Sequence, residues 1–302
     1  MSQDVHVLSA MKINGTTLDQ IKEQSIDPRI REALVDADGA VDPTYAAIQE
    51  CDPVMSFQTT DLPGFLALCG ISGLAISADV VLYYQKTTED GIRAGGSNNK
   101  SVTISAGMVI PRSISARQGG EAVLNFDVIA RSSDGLASPV TLATGVALPT
   151  GAAVDVLFTA GPWKLNGSMQ EGLMSIDFDF GLHEKLMRHS GMVYPYRIHI
   201  ETRHPKLRIK TTDVAFFTGN DVDGVAQGAT ASLIWFRKLA REGTRTANAT
   251  AEHVQLTIYD GIWKPGRTGG SHPGEQTTDV EIMPISDGTH AIVAISTGAA
   301  IA

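Results

Sequence analysis

Three residues, His199, Glu201 and His204, come closest to the pattern of a metal site. His199 and Glu201 would share one face of a strand, because side chains alternate along a strand, and His204 follows closely. Zinc sites use tighter spacings than this one, so polar residues on a surface strand are the better interpretation. The sequence therefore predicts no bound metal, and it contains no motif that indicates a cofactor.

Two acidic turns resemble the start of a calcium-binding loop. Residues 36–39 read Asp-Ala-Asp-Gly and residues 221–224 read Asp-Val-Asp-Gly, but the twelfth position holds Ala47 or Ser232 instead of glutamate, so Asp-Gly turns explain both. The chain also lacks a nucleophile elbow, a phosphate-binding loop, a dinucleotide fingerprint and a CxxC pair. We therefore predict that the protein is not an enzyme.

Two long polar loops are the best candidates for contacts between subunits. They follow the segments 79–86 and 232–238, which are apolar at consecutive positions, so a second sheet or a neighbouring subunit must cover both strand faces. Loops of about 15 residues are uncommon unless they bind something or become ordered on assembly, although a mobile hairpin tip is an alternative. We expect the two loops to have the same length. The candidate contact residues are Lys86, Arg93, Lys100, Lys238, Arg241 and Arg245.

The two loops occur at equivalent positions because the sequence contains an internal repeat. Shifted by 152 positions, Asn14-Gly15 lies over Asn166-Gly167, and PVMSFQTTDL from Pro53 lies over PKLRIKTTDV from Pro205. Further along, the offset increases by one. A repeat of this length is a complete domain rather than a solenoid unit. The sequence therefore predicts two similar modules, residues 1–152 and 153–302, that meet near residues 149–155.

Strand patterns dominate both modules. Alternating or β-branched runs, among them AVLNFDVIA and LMSIDFDFG, are bounded by Asp-Gly, Gly-Gly and Asn-Gly turns. We predict a mainly β protein made of two antiparallel β-sandwich or barrel modules with short helices. The helices are expected at LDQIKEQ, DPRIREAL and PTYAAIQE. Asp61 and Asp213 of the two Thr-Thr-Asp motifs are expected to cap backbone N–H groups.

Composition narrows the function classes. The chain of 302 residues has a net charge of −9, which disfavours stable binding to duplex DNA. No apolar run is long enough to span a membrane, and no secretory signal is visible, so synthesis in the cytoplasm is expected. Cys51 and Cys69 have no counterparts in the other module and should be unpaired core thiols. A basic stripe of Lys206, Arg208 and Lys210 should be solvated or face the acidic residues of a partner, with nucleic-acid contact as the alternative.

Residues 39–70, GAVDPTYAAIQECDPVMSFQTTDLPGFLALCG, and residues 287–298, DGTHAIVAISTG, resemble the major tail tube proteins of long-tailed bacteriophages. The shared pattern is a short Val-Asp-Pro helix, a strand, Thr-Thr-Asp and an apolar segment. The resemblance implies β modules that assemble six to a ring, with rings stacked into a hollow conduit for DNA. Some members of that family are duplicated, and three of their chains then supply the six modules.

The resemblance implies a structural virion protein, assembled in the host cytoplasm and located in the tail. Its partners would be copies of itself, other tail proteins and DNA that passes without sequence-specific binding; the six loop residues could then also join successive rings. Ring closure is also physically reasonable, because it removes exposed sheet edges. The alternatives are a sliding clamp around DNA, which needs a lysine-lined helical inner surface, and an enzyme with an unrecognised site.

Overall fold

The computed structural model of the 302-residue chain describes residues 5–18, 20–36, 38, 42–88, 92–93, 96, 98–149, 156–189, 191–212, 227–228, 232–240, 245–269 and 276–302. Antiparallel strands make up most of these residues. The predicted fold class, mainly β with antiparallel sheets and a short helical element, is confirmed. No helix among the described residues is long and apolar enough to cross a membrane.

The first half of the chain provides twelve of the described strands and a helix. The helix, α1 (Leu62–Cys69), lies between the sixth and the seventh strand. The strands are β1 (Val5–Ile13), β2 (Thr16–Leu18), β3 (Ile21–Asp27), β4 (Ile30–Val35), β5 (Tyr45–Cys51), β6 (Val54–Thr59), β7 (Leu74–Ala75), β8 (Val80–Thr87), β9 (Asn99–Ile104), β10 (Gly107–Arg117), β11 (Val123–Ala130) and β12 (Val140–Val146).

The second half provides twelve further described strands in the same order. They are β13 (Leu157–Leu165), β14 (Ser168–Gln170), β15 (Leu173–Asp179), β16 (Leu182–Met187), β17 (Arg197–Arg203), β18 (Lys206–Thr211), β19 (Gln227–Gly228), β20 (Ser232–Leu239), β21 (His253–Ile258), β22 (Gly261–Gly269), β23 (Thr277–Pro284) and β24 (Ala294–Ala299).

The strands of the two halves pair in the same way. A five-stranded sheet in the first half has the order β12-β9-β8-β1-β2, and one in the second half has the equivalent order β24-β21-β20-β13-β14. Opposite them lies one ten-stranded sheet in which β7 and the run β10-β11-β6-β3 come from the first half and β19-β22-β23-β18-β15 from the second. The two parts of this sheet are joined where β10 pairs with β15.

The first residues of corresponding strands in the two halves are separated by one of two sequence spacings. From β1 and β13 to β8 and β20, the long strands start 152 residues apart, and from β9 and β21 onward they start 154 residues apart. The increase arises in the loop after β20, which spans 240–252 where the loop after β8 spans 88–98. The expectation of equal loop lengths is therefore wrong by two residues. The strands of the two halves thus match in order, bounds and pairing.

The apolar core lies between the five-stranded sheets and one face of the ten-stranded sheet. Its aromatic residues include Phe57 and Phe126, whose rings stack at 5.2 Å, and Phe65 of α1, which packs on Phe126 at 4.5 Å. Phe178 and Trp263 are fully buried in the second half. One hydrophobic cluster contains core residues of both halves, so the modules do not bury separate cores.

Three segments expected to be helical are strands. LDQIKEQ begins with the last residue of β2 and runs into β3, DPRIREAL overlaps most of β4, and PTYAAIQE overlaps most of β5. Asp27 does not cap a helix, because its carboxylate accepts a hydrogen bond from the backbone N–H of Arg29 (2.9 Å) in a turn. Arg29 has a φ of 45°, a left-handed conformation that stops a helix from continuing.

Other local predictions are confirmed. In β15, Ile176 and Phe178 are buried while Asp177 and Asp179 are exposed, as the alternation of polar and apolar residues predicts. Cys51 and Cys69 are free and buried. In β20, Trp235 is fully buried and its indole N–H donates to the Ala300 carbonyl (3.1 Å), so the C-terminal segment of the same chain covers this strand.

Candidate assembly interface

The candidate residues of the first loop lie at one end of the first five-stranded sheet. Lys86 is in β8, opposite His6 of β1. Arg93 forms an isolated β-bridge with Thr87 and is exposed, and Lys100, the second residue of β9, has an exposed side chain. These three cations therefore belong to one surface at which the loop closes on the sheet.

The second loop is built on the same plan in the other five-stranded sheet. Lys238 donates a hydrogen bond to Glu252 (2.8 Å), and this contact lowers the pKa of the glutamate. Arg245 forms an isolated bridge with Leu239, as Arg93 does with Thr87. Arg241 lies outside the described residues. The five described cations thus lie at two separate five-stranded sheets.

A buried polar side chain anchors each loop. Asn99 accepts a hydrogen bond from the backbone N–H of Lys86 (3.2 Å). At the equivalent place, Nδ1 of His253 accepts from the backbone N–H of Lys238 (3.0 Å), so the ring proton is on Nε2, which lies 3.1 Å from the Ala247 carbonyl. The two residue types differ, but both satisfy a backbone donor at the base of the loop.

The junction between the halves is a continuous antiparallel strand pair. Ser113 to Arg117 of β10 lie opposite Asp179 to Ser175 of β15. Backbone bonds extend the join beyond the pair, because the Gln118 N–H donates to the Met174 carbonyl (2.8 Å) and the Phe180 N–H donates to that of Arg112 (2.9 Å). The halves are therefore connected by main-chain hydrogen bonds as well as by apolar contacts.

Arg112 is the electrostatic centre of this junction. Its guanidinium group donates to Asp127 of its own half (2.6 Å) and, through two nitrogens, to Glu184 of the other half (2.7 and 2.8 Å). Burial would lower the pKa of Arg112, but the hydrogen bonds with these two carboxylates outweigh it and raise the pKa. Burial would raise the pKa of Glu184, and Arg112 reverses this and lowers it. Arg112 thus holds the β16–β17 hairpin against the first half.

The loop of the β16–β17 hairpin docks on a turn of the first half. The N–H groups of Val193 and Tyr194 both donate to the Gly135 carbonyl (3.0 Å each). Gly135 has a φ of 73°, and a Cβ atom at this position would lie 2.3 Å from the Met192 side chain. Asp134 shapes the turn by accepting from two backbone N–H groups, which helps lower its pKa to about 2. Only glycine fits both the backbone and the close approach.

Further contacts fasten the hairpin at the end of β5. The Cys51 N–H donates to the Val193 carbonyl (2.9 Å), and Arg188 forms an ion pair with Asp52. The Ser132 N–H donates to the Pro195 carbonyl (2.8 Å). The second half therefore contacts the first through the edge of β15, the hairpin strands and the hairpin loop.

The ten-stranded sheet has one polar face that runs through both halves. The predicted basic stripe of Lys206, Arg208 and Lys210 lies there, and Lys206 and Arg208 approach Glu281 at 3.6 and 3.3 Å. Lys264 also pairs with Glu281 (2.8 Å), and this hydrogen bond is the main cause of the lowered pKa of Glu281. The stripe thus faces an acid of its own chain. Ser56 and Asp127 continue this face in the first half (2.6 Å).

The predicted capping role of Asp61 is confirmed. Its carboxylate accepts from the N–H of Gly64 (3.0 Å) at the start of α1, and burial raises its pKa. Asp213 lies outside the described residues, as do Asp221 and Asp223. Among the described residues, no group of three or more histidine, cysteine, aspartate or glutamate side chains could hold a metal ion.

Several residues of the interface were missed from the sequence alone. Arg112 leaves no trace in the repeat, because glycine (Gly266) stands at the equivalent position of β22. The equivalence of β10 and β22 was visible in the sequence. A glycine and a proline stand in β22 154 positions after Gly107 and Pro111 of β10, where the spacing of 152 no longer applies. No protein-family model matches the chain, and no curated protein gives a significant match.

Proposed function

We propose that this protein is a structural virion protein that assembles with copies of itself into rings, and that the rings stack into a hollow bacteriophage tail tube. Three chains, with two modules each, would form a ring of six modules. DNA would pass through the tube without sequence-specific binding. The proposal rests on the resemblance of residues 39–70 and 287–298 to tail tube proteins, and the mainly β fold is compatible with it, although the Val-Asp-Pro helix of the shared pattern is strand β5 in this chain.

One observation carries the proposal. The ten-stranded sheet is continuous across the two halves, and within the described residues its long strands at either end, β3 and β22, each leave part of an edge unpaired. Those edges are equivalent to β15 and β10, the two strands that join the halves. Because the edges are complementary rather than alike, association is head to tail, and such an interface generates either a ring or a filament.

The two faces of the sheet suit a tube wall. One face is buried under the five-stranded sheets, and the other is polar, with paired charges such as Lys264 and Glu281. A wall whose cations are neutralised by neighbouring acids gives little attraction to passing phosphates. The clamp alternative needs a basic helical surface, but LDQIKEQ and DPRIREAL, the helices considered for it, are strands.

Electron microscopy tests the proposal. The purified protein, at high concentration or in kosmotropic salt, is expected to form hollow fibres with a regular axial repeat. Such salts favour association because they strengthen the burial of apolar surface. Monomers alone under all of these conditions would contradict the proposal, and rings that never stack would leave self-association but remove the tube.

A further inference from the structure

The β4–β5 hairpin of the first half has apolar side chains with no cover. Leu34 is 62% exposed and Ile30 is 47% exposed, and Tyr45 and Ile48 are also exposed. The equivalent of Ile30 in the second half is Leu182, which is only 5% exposed because the β16–β17 hairpin lies against the first half. A hairpin of this kind is stable on few internal contacts only when it packs on another surface.

The edge beside this hairpin is uncovered in the same way. Ile26 of β3 is 48% exposed, whereas its equivalent in β15, Phe178, is fully buried where β15 pairs with β10. Unpaired edge strands with exposed apolar residues are templates for pairing with another chain. The first half therefore has a free surface of the kind that the second half uses to bind.

The second half has an uncovered turn at Asp287 and Gly288 that corresponds to the turn on which the β16–β17 hairpin docks. The Asp287 carboxylate accepts from the N–H groups of Thr289 and His290, as Asp134 does from its own turn, and its pKa is likewise lowered to about 2. Gly288 has a φ of 77°, close to the value at Gly135. Nothing lies within 4 Å of a Cβ atom built on Gly288. The turn thus has the shape of the first-half turn, and none of the described parts of the chain docks on it as the β16–β17 hairpin loop docks on Gly135.

One ion pair of the junction has equivalents of a different type at this surface. The ion pair of Arg188 with Asp52 maps onto Asp36 of the first half and His204 of the second, so the acidic residue is on the opposite side. In the register of the junction, Asp36 of another copy would lie beside His204, as Arg188 lies beside Asp52.

The contact of helix α1 with β24 is another part of the junction whose equivalent is uncovered. Helix α1 of the first half lies against β24 of the second. The equivalent strand in the first half, β12, is exposed along most of its length, and Leu142 at its centre is 81% exposed. Several described elements of the junction thus have uncovered equivalents elsewhere in the chain, namely β3, the β4–β5 hairpin, the turn at Gly288 and β12.

We infer that the first half of one chain binds the second half of another copy in the register of the β10–β15 junction. Strand β3 pairs antiparallel with β22, and the strands of the β4–β5 hairpin cover the polar face beside it, next to the turn at Gly288. The spacings of 152 and 154 residues place Ser25 opposite Gly269, as Asp177 lies opposite Ser115. This inference rests on the self-assembly proposed above and specifies its interface.

Disulfide cross-linking tests the register. Paired residues in antiparallel strands have Cα atoms about 4.5 to 5.5 Å apart, within the range that a disulfide bridges. The variant Ser25→Cys with Gly269→Cys, oxidised under assembly conditions, is expected to run as covalent multiples of the chain on a denaturing gel without reductant. A Cβ atom at Gly269 meets nothing within 4 Å, so the substitution is accommodated.

Three controls define the outcome. Ser115→Cys with Asp177→Cys should form a disulfide within one chain and so shows that oxidation works. Each single cysteine variant, and Thr16→Cys with Gly269→Cys, should give no ladder, because Thr16 lies on an edge of a different sheet. The native Cys51 and Cys69 contribute little, since both are buried and burial raises their pKa, that of Cys69 to about 12.

A second pair of variants probes the hairpin. Leu34→Glu should abolish the ladder of the Ser25→Cys, Gly269→Cys protein while leaving its thermal unfolding unchanged, because Leu34 contacts little in the free chain. Met169→Glu, at an exposed apolar residue outside this surface, should leave the ladder unchanged. Equal ladders in the Leu34→Glu and parent proteins would remove the hairpin from the interface.

The inference and the proposed function can fail separately. Hollow fibres without the Ser25–Gly269 cross-link would overturn this register and keep the tube. Cross-linked multiples that never form fibres would support the register and overturn the tube. A chain that stays monomeric while the intrachain control oxidises would overturn the inference itself.

Discussion

The hairpins β4–β5 and β16–β17 share their strand lengths and register, including a bulge at the same position, but they have opposite surroundings. The second hairpin packs on the first half through Arg112 and Gly135, and the first hairpin is exposed. The difference shows that burial of such a hairpin comes from the surface opposite it and not from its own fold. A chain with two similar halves and one internal junction leaves half of its binding elements unused.

The largest expected effect separates the two edge strands. Phe178→Ala should lower the free energy of unfolding by about 3 to 5 kcal/mol, because it leaves a cavity in a packed junction. Ile26→Ala, at the equivalent exposed position, should change it by about 0.5 kcal/mol or less in the unassembled chain. Urea denaturation of the two variants measures both. Similar losses would mean that β3 is already covered.

The next effect compares two glutamates at equivalent places in the hairpins. Glu184→Gln should cost about 1.5 to 3 kcal/mol, the usual range for hydrogen bonds to charged groups, because it loses its charged bonds with Arg112. Glu32→Gln should cost about 0.5 kcal/mol or less, since Glu32 is exposed. Thermal unfolding of both variants at neutral pH, against the parent protein, checks the difference.

Low pH should remove from the parent protein the stabilisation that the Glu184 carboxylate provides through Arg112. The pKa of Glu184 is lowered in the folded state, so its stabilisation is present above the ordinary value of 4.5 and is lost as pH falls through the lower folded value. The gap in stability between the parent protein and Glu184→Gln should therefore narrow below about pH 4.5. Unfolding curves at a series of pH values would show this, and a constant gap would contradict it.

A smaller effect concerns the loop anchors. His253→Ala should cost about 1 to 3 kcal/mol, because it leaves the buried N–H of Lys238 without an acceptor. His253→Asn should restore part of this loss, since Asn99 fills the equivalent role in the first half. Chemical denaturation of the two variants compares them. Equal losses would mean that an amide cannot replace the imidazole at this anchor.

The smallest effect on the free chain is expected at the loop cations. Exchanging the exposed residues Arg93, Lys100 and Arg245 for serine should change the free energy of unfolding by about 0.5 kcal/mol or less. If these loops join successive rings, the variant should need more protein to form fibres. Light scattering during assembly measures that threshold. An unchanged threshold would remove the three residues from contacts between rings.

The sequence predicted the strands best where one face is buried within the chain. In β15, alternation is strict because Ile176 and Phe178 face the core while Asp177 faces outward. In β4 neither face is fully buried, so its apolar residues, Ile30, Ala33 and Leu34, fall at helical spacing and DPRIREAL suggested a helix. Capping by Asp61 was predictable because the carboxylate lies just before α1 and bonds within its first turn.

The interface was predicted only in part. The repeat places Lys86 and Arg93 of the first loop at the same positions as Lys238 and Arg245 of the second, but a role of the loop cations in contacts stays a prediction. Arg112 was not, since its contacts with Asp127 and Glu184 join residues far apart in the chain, and a single sequence carries no record of such pairs. In the sequence, the turns at Gly135 and Gly288 appear only as Asp-Gly pairs. The fold shows that the β16–β17 hairpin covers the turn at Gly135.

The join between β10 and β15 has a kinetic consequence. Both strands belong to one polypeptide, so they meet at an effective concentration on the order of millimolar, whatever the amount of protein present. Joining β22 to β3 of a second molecule has no such advantage and follows the bulk concentration. A newly made chain can therefore complete its internal join first and wait, folded, until enough neighbours or a template bring the remaining edges together.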